Sequence, residues 1–430
     1  MTECPAIEFA SRTDVGLRRS HNQDAYCEDP AGDPERFRDH GHLFLVADGM
    51  GGHAVGEKAS AKAKRDIPHT YHKHVQEGPA AALRKAFVET NAGIFAIGQE
   101  NPEFRGLGTT ASALLLRPEG AWVAHVGDSR VYRIRQGQID QLTFDHSAVW
   151  EIARRQHLKP EDLQGIRSNV ILRSLGPDAL VEVDIEGPHP IEPGDVFLLC
   201  SDGLSGQLSD YEIGAVAAAL PPGEACEFLI ELANLRGGPD NITVQIIRVA
   251  GSPPEGPRPT GNTAPRSRRP IPWPLMILVA GIALAILALV LMVSERPGAL
   301  QVFTAASVVI SIGLVAIIIH SQRERHAPRE VLKPRLNVHS SRRCVIERPL
   351  IEKLVKATDD MRQRLNEAGI EWNVDDFTAR RARADQCIAQ ADLAEAFREY
   401  CRAMHVLIRT YNQQHQRDEV FQPLWDKHDA

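Results

Sequence analysis

Cysteine is scarce in this chain, with seven residues scattered over 430 positions and no CxxC pair among them. The odd number and the irregular spacing argue against a disulfide framework and against a zinc ribbon. The first 30 residues also lack an apolar run and carry charges throughout, so we expect no cleaved secretory signal. These absences indicate a reducing compartment.

Positive charge is also in deficit, since 49 Lys and Arg residues face 56 Asp and Glu residues and leave a formal net charge of −7. A protein that coats nucleic acid needs a basic face that displaces counterions from the phosphate backbone. We therefore expect no nucleic-acid partner. The apolar fraction of 43% is high enough for a folded protein of more than one domain.

Composition changes sharply at residue 250, which divides the chain into predicted segments. Residues 1–250 form the first domain, and residues 251–271 are a Pro-rich linker. The stretches 272–293 and 299–319 are apolar and uncharged. At about 1.5 Å per residue each can cross a hydrocarbon core ~30 Å thick. We expect two transmembrane helices here, and the alternative is a pair of buried core helices.

Basic residues flank both apolar stretches on their outer sides, which by the positive-inside rule places both flanks in the cytosol. The expected location is thus the cytoplasmic membrane, as a two-pass protein with N- and C-terminal domains in the cytosol. Residues 320–344 are a basic juxtamembrane segment, and residues 345–430 are predicted to form a helical cytosolic domain. The apolar faces of its helices must pack against one another, a second copy or a protein partner.

Four aspartates stand where apolar, strand-like runs meet turns. Asp48 follows HLFLVA, Asp128 follows AWVAHVG, Asp202 follows DVFLLCS, and Asp240 precedes NITVQIIRV. Each alone is typical of turn chemistry, because Asp-Gly is a frequent turn dipeptide. If these strand ends share one edge, however, the carboxylates repel one another unless cations lie between them. Oxygen ligands without clustered His or Cys favour Mg²⁺ or Mn²⁺ over zinc.

Eight sequence blocks resemble, in order, the metal-dependent protein serine/threonine phosphatases of the type 2C (PPM) family in their bacterial form, over about residues 7–249. The blocks are TDVGLRRSHNQDAY (13–26), LVADGMGGHAVGEKAS (45–60), GTT (108–110), HVGDSRVYRI (125–134), LTFDHS (142–147), NVILRSLG (169–176), LLCSDGLSGQLSD (198–210) and GGPDNITV (237–244). The resemblance implies an α+β fold, an antiparallel β-sandwich flanked by helices. The predicted transmembrane helices and the small α-helical C-terminal region would follow it.

The resemblance also implies a metal site. Asp48 resembles the carboxylate that bridges two metal ions, and the Gly49 carbonyl would be a further ligand. Asp202 and Asp240 resemble the remaining carboxylates of one metal. Asp128 resembles a ligand of a third ion, so the implied cofactor is Mg²⁺ or Mn²⁺ in two or three copies.

Three further residues have implied roles in catalysis. Asp24 resembles the acid that orients a metal-bound water, and Arg19 stands at the spacing of the family's phosphate-binding arginine. His53 is placed to donate a proton to the leaving seryl or threonyl oxygen, and the alternative is a histidine that only serves a turn. The implied reaction is direct attack of a metal-bridged water on phosphoserine or phosphothreonine.

We therefore expect an enzyme, a membrane-anchored protein serine/threonine phosphatase. Its implied partners are phosphorylated proteins, including Ser/Thr kinases or their substrates. One alternative is a catalytically silent phosphatase-like scaffold at the membrane. Another is a phosphatase that its membrane segments and helical tail regulate as a sensor.

Overall fold

The computed structural model describes residues 5–51, 56–163, 170–250 and 338–420, with a few positions between 285 and 307. The chain divides into two compact units. The first combines Met1–Pro254 with Pro334–Ala430, and the second is Glu255–Lys333. The first unit is therefore discontinuous in sequence, and it holds all the secondary structure detailed below.

Twelve strands, counted over the residues that the structure describes, build two antiparallel sheets. In chain order they are β1 (Ile7–Asp14), β2 (Asp24–Asp29), β3 (His42–Met50), β4 (Gly108–Thr109), β5 (Ala111–Arg117), β6 (Gly120–Val126), β7 (Arg130–Arg135), β8 (Gln138–Gln141), β9 (Asp184–His189), β10 (Val196–Cys200), β11 (Ile242–Val249) and β12 (Ser340–Arg343). The first sheet has the order β1-β11-β10-β7-β8-β12. The second has the order β2-β3-β5-β6-β9, and β4 pairs with β3.

Helices cover the outer faces of both sheets. In chain order they are α1 (Pro34–His40), α2 (Gly56–His74), α3 (Pro79–Glu100), α4 (Ala148–Gln156), α5 (Asp202–Ser205), α6 (Asp210–Ala219), α7 (Pro222–Leu235), α8 (Arg348–Glu367), α9 (Val374–Ala389) and α10 (Leu393–Val420). Side chains fix where some of them begin. Ser147 Oγ accepts a hydrogen bond from the Trp150 amide at the start of α4, and Ser209 forms a capping box with Glu212 at the start of α6.

The two sheets pack face to face, and the core between them is apolar. Phe44, Val46 and Leu114 come from the second sheet, and Phe197 and Leu199 come from the first, all of them fully buried. The runs that supply these side chains are short, apolar and bounded by turns, as buried strands are. The predicted α+β sandwich flanked by helices is confirmed.

The C-terminal segment packs onto the first sheet. Strand β12 pairs antiparallel with β8, and the Cys344 amide donates to the Gly137 carbonyl. The apolar faces of α8, α9 and α10 join the same buried core as α6 and α7, with Phe397 and Leu407 among its members. The predicted helical domain, residues 345–430, thus shares one core with the predicted first domain, residues 1–250.

The prediction of two transmembrane helices is wrong for the part of the chain that the structure describes. No helix there is long and apolar enough to span a bilayer. Long helices such as α3 and α10 carry charged residues along their length. The predicted stretches 272–293 and 299–319 lie mostly outside the described residues. The two-pass membrane location deduced from them is corrected accordingly.

Candidate active site

Five aspartates from both sheets converge at one end of the sandwich. Asp48 lies near the end of β3, Asp24 opens β2 directly opposite it in register, and Asp128 follows β6. Asp202 opens α5 just after β10, and Asp240 stands two residues before β11. The charges of the other four carboxyl groups all raise the pKa of Asp48, after the larger effect of burial. The four strand-end aspartates singled out in the sequence thus face one another.

The carboxyl groups at this end are costly to ionise together. Burial raises the pKa of Asp48 well above its ordinary value, and burial followed by the charge of Asp202 raises that of Asp128 to about 8. Burial and the charge of Asp240 also raise the pKa of Asp202, against a hydrogen bond with Asp48. Two carboxyl groups that share a proton repel each other less than two carboxylates do. A divalent cation between the carboxylates would remove the repulsion.

Oxygen atoms of this cluster are available as ligands. Asp24 Oδ1, Asp128 Oδ1 and Asp202 Oδ1 are buried and have no hydrogen-bond partner in the part of the chain that the structure describes. Such acceptors are expensive to bury unless something binds them. Within the described ranges no three such ligand groups surround one point. An all-oxygen set of this kind fits Mg²⁺ or Mn²⁺.

Gly49 lies beside Asp48 where β3 approaches the start of α2. Its amide donates to the Gln23 carbonyl at 3.1 Å. A Cβ at this position would stand 2.3 Å from the Gly56 carbonyl oxygen, so only glycine allows this approach. The close packing leaves the Gly49 backbone next to the carboxylate cluster.

Hydroxyl groups hold Asp24 in place. Ser201 Oγ and Thr243 Oγ1 donate to Asp24 Oδ2 at 2.7 and 2.6 Å. Burial raises the pKa of Asp24 to about 7, although both hydrogen bonds lower it. One oxygen of this carboxyl group is therefore fixed, while Oδ1 has no partner among the described residues.

Arg19 reaches the cluster from the β1–β2 loop. Its Nη2 donates to Asp240 Oδ2 at 2.7 Å. Asn241 fixes the loop, because its Nδ2 donates to the carbonyls of Val15 and His21 and its Oδ1 accepts from the Gln23 amide. The guanidinium thus stands half exposed at the mouth of the carboxylate cluster.

His53 lies outside the described residues, since 52–55 are not among them. The other predicted site residues, Arg19, Asp24, Gly49 and the four strand-end aspartates, are brought to one region. Two histidines near the site have structural partners: His146 Nδ1 accepts from the Gly127 amide, and His125 bonds Ser112.

Sequence reasoning assigned no role to the residues that support this cluster. Ser201, Thr243 and Asn241 hold Asp24 and the Arg19 loop, and Thr110 Oγ1 accepts from the Asp48 amide at 2.9 Å. All four belong to blocks that resemble the phosphatase family, and this was the only available signal for them. No periodicity marks a hydroxyl or an amide that serves a distant carboxylate.

Comparison with known proteins shows which family the chain resembles. The family model for protein phosphatase 2C matches residues 13–154. The serine/threonine phosphatase Stp of Listeria monocytogenes is 35% identical over 242 residues, which cover 55% of this chain and 93% of that protein. The phosphatase PhpP of Streptococcus pneumoniae is 35% identical over 247 residues, with coverages of 56% and 97%.

A solved structure gives the same result. The serine/threonine phosphatase PstP/Ppp of Mycobacterium tuberculosis matches with a TM-score of 0.51 at 33% identity, covering 57% of this chain and 99% of that one. The resemblance inferred from the sequence blocks is confirmed, and so are the enzyme class and the use of Mg²⁺ or Mn²⁺. A protein serine/threonine phosphatase with an added C-terminal segment, the chain belongs to the protein phosphatase 2C family.

Proposed function

We propose that the aspartate cluster is the catalytic centre and that the enzyme transfers the phosphoryl group of phosphoserine and phosphothreonine in proteins directly to water. The observation that carries this proposal is the convergence of Asp48, Asp202, Asp240 and Asp128 from four distant strand ends, with Arg19 at their mouth. Buried carboxylates with raised pKa values are costly to a fold and are typical of functional sites.

Asp48, Asp202 and Asp240 are the residues proposed to hold the paired cations, with the Gly49 carbonyl beside them and Asp128 for a third ion. When bound, such cations supply an acidified water and screen the negative charge of the phosphate. The Oδ1 atoms of Asp202 and Asp128 support this assignment, because they are buried acceptors that no described residue satisfies.

Arg19 is proposed to bind and orient the phosphate. A guanidinium offers two parallel N–H donors to two phosphoryl oxygens, which fixes the group in one orientation. The hydrogen bond from Arg19 Nη2 to Asp240 Oδ2 supports this role in phosphate binding, because it holds the half-exposed guanidinium beside the cluster. Orientation of this kind lowers the entropy cost of reaching the transition state.

Asp24 is proposed to orient the attacking water and to accept its proton at Oδ1. Its other oxygen is held by Ser201 and Thr243, so the carboxyl group cannot turn away. Among the described residues Oδ1 has no hydrogen-bond partner, so it is available to accept a hydrogen bond from water. His53 is proposed as the acid that protonates the leaving oxygen.

The proposed substrates are phosphorylated proteins, including Ser/Thr kinases or the proteins that they phosphorylate. The relatives support this class, because those of Listeria monocytogenes are named serine/threonine phosphatases. No observation favours a silent scaffold, since the aspartates and Arg19 are all present.

The test uses the full chain with a phosphothreonine peptide and Mn²⁺. Hydrolysis should stop with a chelator, and Asp48→Asn or Asp240→Asn should lower kcat by about 10³-fold or more. The matched control is Asp178→Asn, an exposed aspartate outside the cluster. Phosphate release that persists without metal, or in Asp48→Asn at the wild-type rate, would overturn the proposal.

A further inference from the structure

Arg130 is a buried cation beside the carboxylate cluster. It opens β7 two positions after Asp128, so the Cα atoms of the two residues are at most about 7 Å apart. In the pairing of β7 with β10 it stands opposite Cys200, two positions before Asp202. Burial and the charge of Asp202 raise the pKa of Asp128, and the charge of Arg130 lowers it. This guanidinium thus acts on the proposed metal ligands.

The guanidinium nevertheless binds groups outside the cluster. Its Nε and Nη2 donate to Asp145 Oδ2 at 2.9 and 2.7 Å, and its Nη1 donates to the Tyr132 hydroxyl at 2.9 Å. Nη1 also lies 3.6 Å from Asp210 Oδ1. Among the described residues neither Asp128 Oδ1 nor Asp202 Oδ1 has a hydrogen-bond partner. All three nitrogens of the guanidinium are therefore engaged elsewhere, while these two oxygens accept no hydrogen bond from the described residues.

Asp145 is itself fixed by its surroundings. It is 4% exposed, and its Oδ1 accepts a hydrogen bond from Gln141 Nε2 at 2.7 Å. Gln141 Nε2 also donates to the Thr143 carbonyl at 2.9 Å, which fixes the direction of the amide group. Gln141 belongs to β8, which pairs with β7 on one side and with the tail strand β12 on the other. The carboxylate that binds Arg130 is therefore held by a strand with partners on both sides.

An arginine beside a metal site can compete with the metal ion. A carboxylate that accepts charge-assisted hydrogen bonds from a guanidinium has fewer lone pairs and less negative charge to offer a cation. A buried cation that loses its own carboxylate is strongly destabilising, so the side chain turns to another anion. Asp210 already faces Nη1, whereas Asp145 occupies the edge formed by Nε and Nη2. Without Asp145 this edge is free to bind Asp128.

We propose that Asp145 is a positioning residue of the metal site: it holds Arg130 away from Asp128, so that this carboxylate can bind the third cation. The inference rests on the proposed function, in which Asp128 is a metal ligand. Gln141 contributes indirectly, because it fixes the carboxylate that holds the arginine. Asp145 thus sets the affinity for a cation that it does not bind itself.

The test is a Mn²⁺ titration of the full chain in which electron paramagnetic resonance measures the free ion. Asp145→Asn keeps the shape of the side chain and removes its charge. Arg130 should then bind Asp128, and the Kd of the weakest-bound Mn²⁺ should rise about 10- to 100-fold. Arg130→Met combined with Asp145→Asn removes the competing cation as well and should restore the wild-type Kd. Asp128→Asn identifies the ion concerned, since this variant should lose the same Mn²⁺.

The matched control is a second buried pair, formed by Arg135 at the other end of β7 and Asp195. Arg135 Nε and Nη2 donate to the two oxygens of Asp195 at 2.6 Å, and this aspartate is also buried. Asp195→Asn should lower the free energy of unfolding, as Asp145→Asn should, because each leaves a buried guanidinium without its carboxylate. It should leave every Mn²⁺ affinity unchanged, since Arg135 is remote from the cluster.

A wild-type Kd in Asp145→Asn would mean that Asp210 alone holds the guanidinium, and it would overturn the proposal. So would a double variant that binds Mn²⁺ no better than Asp145→Asn, because the defect would then come from lost structure. If Asp145→Asn does not fold, Gln141→Leu decides: it should weaken the same ion, though less, and an unchanged Kd overturns the proposal. A wild-type chain that binds no Mn²⁺ would instead refute the proposed function.

Discussion

The guanidinium of Arg19 and the carboxylate of Asp240, 221 positions apart in the chain, are joined by a hydrogen bond of 2.7 Å. The pair is well exposed, so it adds little to the free energy of unfolding. Its effect is positional, because it places a cationic fork directly beside the carboxylates that would hold the metal ions.

Replacing Arg19 by Ala should raise KM for a phosphopeptide by about 10- to 100-fold, because charge-assisted hydrogen bonds to the phosphate are lost. Arg19→Lys should recover only part of the loss, since an ammonium cannot make two parallel bonds. Steady-state kinetics measure both. Arg18→Ala is the matched control, because Arg18 is an exposed neighbour of Arg19 in the same loop. An equal effect of both alanine variants would contradict the role of Arg19.

Metal binding should stabilise the fold strongly. A cation that binds only the folded state at 100 times its Kd adds about 2.7 kcal/mol, which corresponds to a rise in Tm of roughly 5–10 °C. Asp48→Asn should reduce this rise and, in chelator, should melt above the wild type because one repelling carboxylate is gone. Thermal denaturation with and without Mn²⁺ tests this, and Asp178→Asn should behave as wild type.

Gly214 in α6 controls the docking of the tail. A Cβ there would stand 2.8 Å from Cys344 Cβ and 3.0 Å from its Sγ. Gly214→Ala should therefore cost about 1–3 kcal/mol and expose the chain near β12 to protease. Gly223→Ala is the matched control, since nothing lies within 4 Å of its added Cβ. Urea unfolding and limited proteolysis give the two readouts, and similar behaviour of the two variants would contradict the prediction.

The pair His405 and Glu231 links α10 to α7 through a 2.7 Å bond. The bond to Glu231 raises the pKa of His405, helped by Glu227 and opposed by burial and Arg409, and burial raises the pKa of Glu231. A histidine whose pKa is raised by folding stabilises the folded state fully at pH values below its unfolded pKa of about 6.5. This stabilisation is lost as the pH rises through the folded pKa. The raised pKa of Glu231 also makes the free energy of unfolding fall with rising pH, between the unfolded and the folded pKa of this carboxyl group.

The free energy of unfolding should thus fall between pH 6 and 8 by about 1 kcal/mol through this pair. His405→Gln should remove most of that slope. His69→Gln, an exposed histidine on α2, is the control and should keep it. Urea titrations at several pH values measure the slope, and an unchanged slope in His405→Gln would show that other groups cause it.

Much of the sandwich could be predicted from the sequence. The run HLFLVA became part of β3, and NITVQIIRV became β11, because short apolar, β-branched segments between turns have few other stable conformations. The order of the strands could not be predicted, since pairing between distant segments leaves no periodic signal. The meeting of the aspartates was implied by the resemblance to a family.

Strand β12 could not be predicted. Its sequence is SSRR, which has no apolar or β-branched residue. It is a strand because the edge of β8 offers unpaired backbone groups. The apolar faces of the tail helices were expected to pack against one another, a second copy or a protein partner. They pack against one another and against α6 and α7 of the same chain.

The pairing of β8 with β12 has a consequence for biosynthesis. Some 200 residues separate the two strands, as the bond between Gln138 and Ser341 spans 203 positions. At about 5–20 residues per second, a ribosome needs roughly 10–40 s to make that interval. For this time the nascent chain carries β8 as a bare sheet edge that other strands can join. A nascent-chain chaperone that shields this edge would therefore be needed most before residue 343 has emerged.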